Sequence, residues 1–111
     1  MEATNVIEKK ELKDDAVSKV SYIKTDAIGQ DTYYFKAGQV LDWHRHPEGD
    51  QVFFVHEGKG TFFTDADGEE SVEIVPGCVV LAPKNVWHKI VADDELIVSQ
   101  ATVQPAGMET R

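Results

Sequence analysis

Gly38-Gln39-Val40-Leu41-Asp42-Trp43-His44-Arg45-His46, then Pro47-Glu48-Gly49-Asp50, then Gln51-Val52-Phe53-Phe54-Val55-His56-Glu57-Gly58 is the stretch that decides the fold class. Two runs rich in β-branched and aromatic residues flank a cluster of Pro, Gly and Asp, the residues that pre-set or relax φ in turns. Residues 39–45 and 51–57 therefore read as strands joined by a turn. Phe53 and Val55 alternate with Val52 and Phe54, so the second strand is apolar on both faces, and both faces should be covered. The same texture continues in both directions. Further strands are expected at 17–24, 31–37, 60–65, 70–75, 78–82, 86–92 and 95–103. Turn signals separate them, among them Ile28-Gly29-Gln30, Asp65-Ala66-Asp67-Gly68, Val75-Pro76-Gly77 and Ala82-Pro83-Lys84-Asn85. Short strands with Gly/Pro turns, and no helix-period segment between them, predict an all-β sandwich or barrel. Residues 1–16 are polar and form an arm, a short helix or an irregular segment. The barrel occupies 17–104, and 105–111, with Pro105 and Gly107, reads as a loose tail.

A chain of 111 residues has room for one domain. Eleven basic and 20 acidic residues give a net charge of −9. That balance repels a phosphate backbone and an anionic membrane surface, so neither nucleic acid nor membrane is an expected partner. Cys78 is the single cysteine, so no disulfide forms within the chain. Stability is left to a core, a metal or a second subunit. No signal-peptide stretch opens the sequence, and no run of about 18 apolar residues occurs. A cytoplasmic protein is expected.

His44 and His46 alternate along one strand, so their imidazoles project to the same face and can share a metal ion. The residues spaced around this pair make the signal specific. Gly38, His44, His46, Gln51 and Gly58 stand at the positions of a first motif, with Gln51 where a Glu is usual. Gly77, Pro83, Asn85 and His88 stand at those of a second, with Asn85 replacing a glycine and Ala92 replacing an Asn. In both motifs, in this order and at this separation, the sequence resembles the cupin superfamily, in its small single-domain form. The resemblance implies a double-stranded β-helix, or jelly-roll barrel, and a metal site made of His44, His46, Gln51 and His88. It also implies one divalent ion: Fe, Mn or Ni in dioxygenase-like members, Zn in some isomerases. A homodimer and a small-molecule ligand follow from the same likeness.

The departures have physical meanings. Asn is the non-glycine residue that best tolerates a left-handed turn, so Asn85 can take glycine's place. Gln51 brings a neutral oxygen where Glu would bring a charge. The ion's charge is then uncompensated by protein, which favours an anionic substrate. Glu48 and Asp50 are alternative oxygen ligands beside it. Imidazole with oxygen suits Fe(II), Mn(II), Ni(II), Cu(II) or Zn(II) and excludes a thiolate site. Strand parity places Phe53 and Val55 inward with Gln51, and Val86 and Ile90 inward with His88. With Phe63 these form the expected pocket, and Phe62 is a further wall. Parity leaves the last strand open between Leu96, Val98 and Gln100 and the alternating set. His56 is expected to be structural or interfacial, and Cys78 a small buried hydrophobe. A dioxygenase-like reaction on a small organic molecule is the leading expectation. A sugar isomerase or epimerase and a non-enzymatic binding module are the alternatives.

Overall fold

The computed structural model describes residues 1–111. The strands are β1 (Ser18–Lys24), β2 (Ile28–Phe35), β3 (Val40–Arg45), β4 (Gln51–Glu57), β5 (Gly60–Asp65), β6 (Glu69–Ile74), β7 (Val79–Ala82), β8 (Trp87–Ala92), β9 (Leu96–Val103) and β10 (Glu109–Thr110). They form two five-stranded sheets, ordered β1-β2-β9-β4-β7 and β10-β3-β8-β5-β6. Every pairing is antiparallel. No helix is long and apolar enough to cross a membrane.

The inner faces close on one core. Tyr33, Phe35, Phe53, Val55, Leu96 and Val98 come from the first sheet, and Phe62, Ile74, Ile90 and Ala92 from the second. These positions alternate along their strands, which is why a period of two is visible in the sequence. The parity left open for the last strand resolves with Leu96, Val98 and Gln100 inward, opposite Val55 and Phe53.

Two segments differ from expectation, and the N-terminal arm takes the irregular one of its two expected forms. Ile28-Gly29-Gln30 is the start of β2, not a turn. The turn lies just before it, where the Thr25 hydroxyl accepts from the backbone N–H of Ala27 and Ile28 at 3.2 and 3.0 Å. Gly29 lies against the Gln104 side chain, whose Nε2 would be 2.9 Å from a Cβ built there. The N-terminal arm is irregular, with Asn5 Oδ1 accepting from the N–H groups of Ile7 and Glu8. It is pinned outside the first sheet, where the Tyr34 hydroxyl donates to Val6 O at 2.6 Å and meets the Tyr22 hydroxyl at 2.7 Å. Finally, 105–111 is not a loose end. Ala106 is buried, its carbonyl accepts from Glu48 N, and Glu109 and Thr110 pair with Arg45 and His44.

Candidate metal centre

β3 and β8 are neighbours, and their register sets His44 directly opposite His88. A bulge between Leu41 and His44 shifts that register and lets both residues face inward. His46 follows just beyond the end of β3. The nitrogens that His44, His46 and His88 can offer a metal all lie within 4.8 Å of one another.

Each ring is held by a backbone carbonyl. His44 Nδ1 bonds Asp42 O at 2.8 Å, His46 Nδ1 bonds Gly107 O at 2.7 Å, and His88 Nδ1 bonds Val86 O at 3.2 Å. A carbonyl can only accept, so in each neutral ring the proton sits on Nδ1 and the lone pair on Nε2. Nε2 of His46 and of His88 are buried and have no partner within the chain. Buried polar atoms are normally satisfied, so unpartnered imidazole nitrogens in one cluster fit a cation as the missing partner.

The surroundings of His44 and His88 keep those rings neutral. The Phe62 ring lies parallel to His88 with centroids 5.9 Å apart, and Phe53 meets it edge-on at 5.6 Å. Burial among these groups, with the neighbouring His44 ring, lowers the His88 pKa to about 3. Desolvation likewise lowers that of His44. Neither ring has to lose a proton at neutral pH before it ligates a metal.

Gln51 opens β4 and is 2% exposed. Its Nε2 donates to Gln100 Oε1 at 3.1 Å, and its Oε1 is buried without a partner. Neither Glu48 nor Asp50 joins the histidine cluster; both are exposed. Asp50 instead accepts from Lys84 N at 2.7 Å, bracing the turn that carries Asn85. Asn85 has φ of 64°, the left-handed value its place in the second motif requires.

The expected pocket needs correction. Phe53 does stand beside the histidines, but Val55 and Ile90 are packed in the core behind it. Phe62, not Phe63, faces inward, because Phe62 pairs with Ile90. Phe63 is on the outer face, 6.4 Å from Trp43 and under the Lys89 ammonium. The half-buried Val86 contributes its carbonyl to His88. A cleft of about 400 Å³ instead reaches His44 and His46 from the side of β1, β2 and the C-terminal segment. Val17, Tyr33, Leu41 and Met108 supply apolar wall, and the charged lining is Lys19, Asp42 and Arg111, with Arg111 bonded to Asp65 at 2.6 Å and Lys19 3.8 Å from Asp31. The contribution of 105–111 had no usable signal, since a two-residue strand is too short to show a period. His56 stands apart, bonded to Ser99 Oγ at 2.8 Å. Cys78 is half-buried against the core edge.

Comparison with known proteins agrees with this architecture. No curated protein sequence matches the chain. Among solved structures it is similar to an uncharacterised double-stranded β-helix protein of Klebsiella pneumoniae. That match has 15% identity and a TM-score of 0.89, covering 97% of this chain and 95% of the other. It is also similar to an RmlC-like cupin protein of Desulfovibrio desulfuricans, at 27% identity, TM-score 0.85, with 93% and 96% covered. KdgF of a Halomonas species superposes at 22% identity, TM-score 0.71, with 86% and 89% covered. The cupin domain family model matches residues 31–99, which run from β2 through the histidines to β9. With its two sheets, its paired motifs and its histidine cluster, this chain belongs to the cupin family.

Proposed function

We propose that the protein is a metal-binding cupin whose divalent ion is held by His44, His46, His88 and the carboxamide oxygen of Gln51. The observation that carries this reading is the set of imidazoles whose Nδ1–H groups are tied to backbone carbonyls, leaving Nε2 lone pairs free in one cluster. A bound divalent ion supplies Lewis acidity or one-electron chemistry, according to its identity. The chain supplies the rest. The donor set is neutral, so an anionic group is favoured as a further ligand. Val17, Tyr33, Leu41 and Met108 exclude water from an apolar body, and the Lys19 ammonium lines the same cleft.

The substrate class that fits is a small organic anion with an apolar portion, and the reaction proposed is dioxygenase-like. The apolar walls favour this over a bare sugar. Protein loaded with Fe(II) is expected to consume oxygen only with such a carboxylate or phenolate present. Turnover that persists under strict anaerobiosis would point to isomerase chemistry. Thermal stabilisation by ligand without turnover would point to a binding module.

The same reading pairs two copies of the chain. Val79 and Leu81 of the edge strand β7 are 61% and 56% exposed, and Val79 pairs with Phe54, itself 41% exposed. Together they make an apolar outer face of the kind that marks an interface. Sedimentation velocity should show a dimer that Leu81→Asp dissociates. A monomer for the unsubstituted chain removes this part of the proposal.

A further inference from the structure

Gln51, Gln100 and Asp31 lie on the inner face of three successive strands, β4, β9 and β2. Their side chains form a series with a direction. Gln51 Nε2 donates to Gln100 Oε1 at 3.1 Å, and Gln100 Nε2 donates to Asp31 Oδ2 at 2.6 Å. The Thr102 hydroxyl donates to the same Gln100 Oε1. Gln51 and Gln100 are each 2% exposed, so water does not substitute freely for these bonds. On its far side the Asp31 carboxylate accepts from the Ser21 hydroxyl, and the Lys19 ammonium is 3.8 Å away.

A carboxamide can present either end to a neighbour, whereas a carboxylate can only accept. Asp31 therefore requires the amino group of Gln100. The oxygen of Gln100 then faces Gln51 and requires its amino group in turn. The end of Gln51 left over is Oε1, the buried acceptor without a partner. Turning Gln51 round would set oxygen against oxygen and strand a buried amino group.

We infer that Asp31, acting through Gln100, is a positioning residue that presents the Gln51 oxygen to the metal, and that this relay selects glutamine over glutamate at position 51. The inference rests on the metal reading above. In Gln51→Glu the new carboxylate would hold an oxygen against Gln100 Oε1. Gln100 could not turn to relieve this, because its own oxygen would then meet Asp31. Adding Asp31→Asn lets the whole series reverse. The new carboxamide at position 31 donates to Gln100 Oε1, Gln100 donates to the glutamate at position 51, and the Thr102 hydroxyl turns to accept. Residues 31 and 51 are thereby coupled, although β2 and β4 are not adjacent.

The test is a double-mutant cycle of the unsubstituted chain, D31N, Q51E and D31N/Q51E. Each is titrated with Co(II) against a competing chelator, with the cobalt absorption spectrum recorded. Urea unfolding of the metal-free proteins forms a second readout. Asp31→Asn is expected to tighten cobalt binding at least tenfold more in the Q51E background than in the unsubstituted one, a coupling of about 1.4 kcal/mol. It should also recover stability lost in metal-free Q51E. Repeating the cycle with Gln100→Leu separates the relay from direct repulsion between residues 31 and 51, since only the relay loses its coupling there. Additive effects in both readouts, or a coupling that survives Gln100→Leu, overturn the relay. Failure of the metal reading looks different. The unsubstituted chain then takes up no cobalt, the assignment of Gln51 as a ligand falls, and the unfolding cycle alone decides whether the relay orients Gln51.

Discussion

His88→Ala is expected to lower divalent-metal affinity by more than about 100-fold, beyond the 10–100-fold typical of losing an outer partner of a ligand. His88 is the most buried of the three histidines. It stands on β8 opposite His44, is 1% exposed, and is clamped between the Val86 carbonyl and the Phe53 and Phe62 rings. The substitution removes a ligand and opens space beside those rings, so some stability is lost as well. His88→Gln keeps most of the volume and distinguishes the effects: the fold should recover more than the metal affinity does. His56→Ala serves as the contrast, because His56 bonds Ser99 away from the cluster. Chelator-competition titrations of the three variants check this. Equal affinities for His88→Ala and His56→Ala would contradict it.

The largest loss of stability is expected from Gly58→Ala. Gly58 has φ of +84°, and a Cβ there would lie 1.8 Å from the Glu95 carbonyl oxygen and 2.8 Å from Leu96 Cα. Both are backbone atoms at the start of β9 and its preceding turn, and they cannot move without disturbing the strand that β4 and β2 share. Gly38 and Gly77 also have positive φ, +84° and +94°, but no atom lies within 4 Å of a Cβ built at either. Alanine at those two positions should cost about 1–2 kcal/mol, the left-handed backbone penalty alone. At Gly58 the loss should exceed about 4 kcal/mol, the range reserved for severe steric or burial defects. Urea denaturation of the three variants measures the difference. Equal losses would show that conformation, not the approach of Glu95, is what the glycine answers.

Much of this was legible because it depends on period and spacing. Strand alternation put His44 and His46 on one face, and the spacing of the two motifs brought His88 to them. Asn85 could be read as a glycine substitute because its side chain tolerates a left-handed backbone, which it adopts. What escaped depends on tertiary choices. Phe62 and Phe63 are equally apolar, and only pairing with Ile90 and Lys89 decides which faces the core. The bulge between Leu41 and His44 changes the phase of β3 at a point where the sequence has no glycine to mark it. The clasp on His46 comes from a carbonyl, that of Gly107, and carbonyls carry no sequence signature. The part of Gln100 in orienting Gln51 required knowing that β9 lies between β2 and β4.

The central claim is that the Nε2 atoms of His44, His46 and His88 converge on one ion. Long-range 1H–15N spectra of the histidine rings test it most directly, since they separate the two tautomers and report the nitrogen that binds metal. In metal-free protein under mildly alkaline conditions, each of the three rings should carry a single proton, on Nδ1. One equivalent of Zn(II) should shift the Nε2 signals of those rings together and leave His56 unchanged. Rings that carry the proton on Nε2, or that do not respond to zinc as a group, would contradict the account.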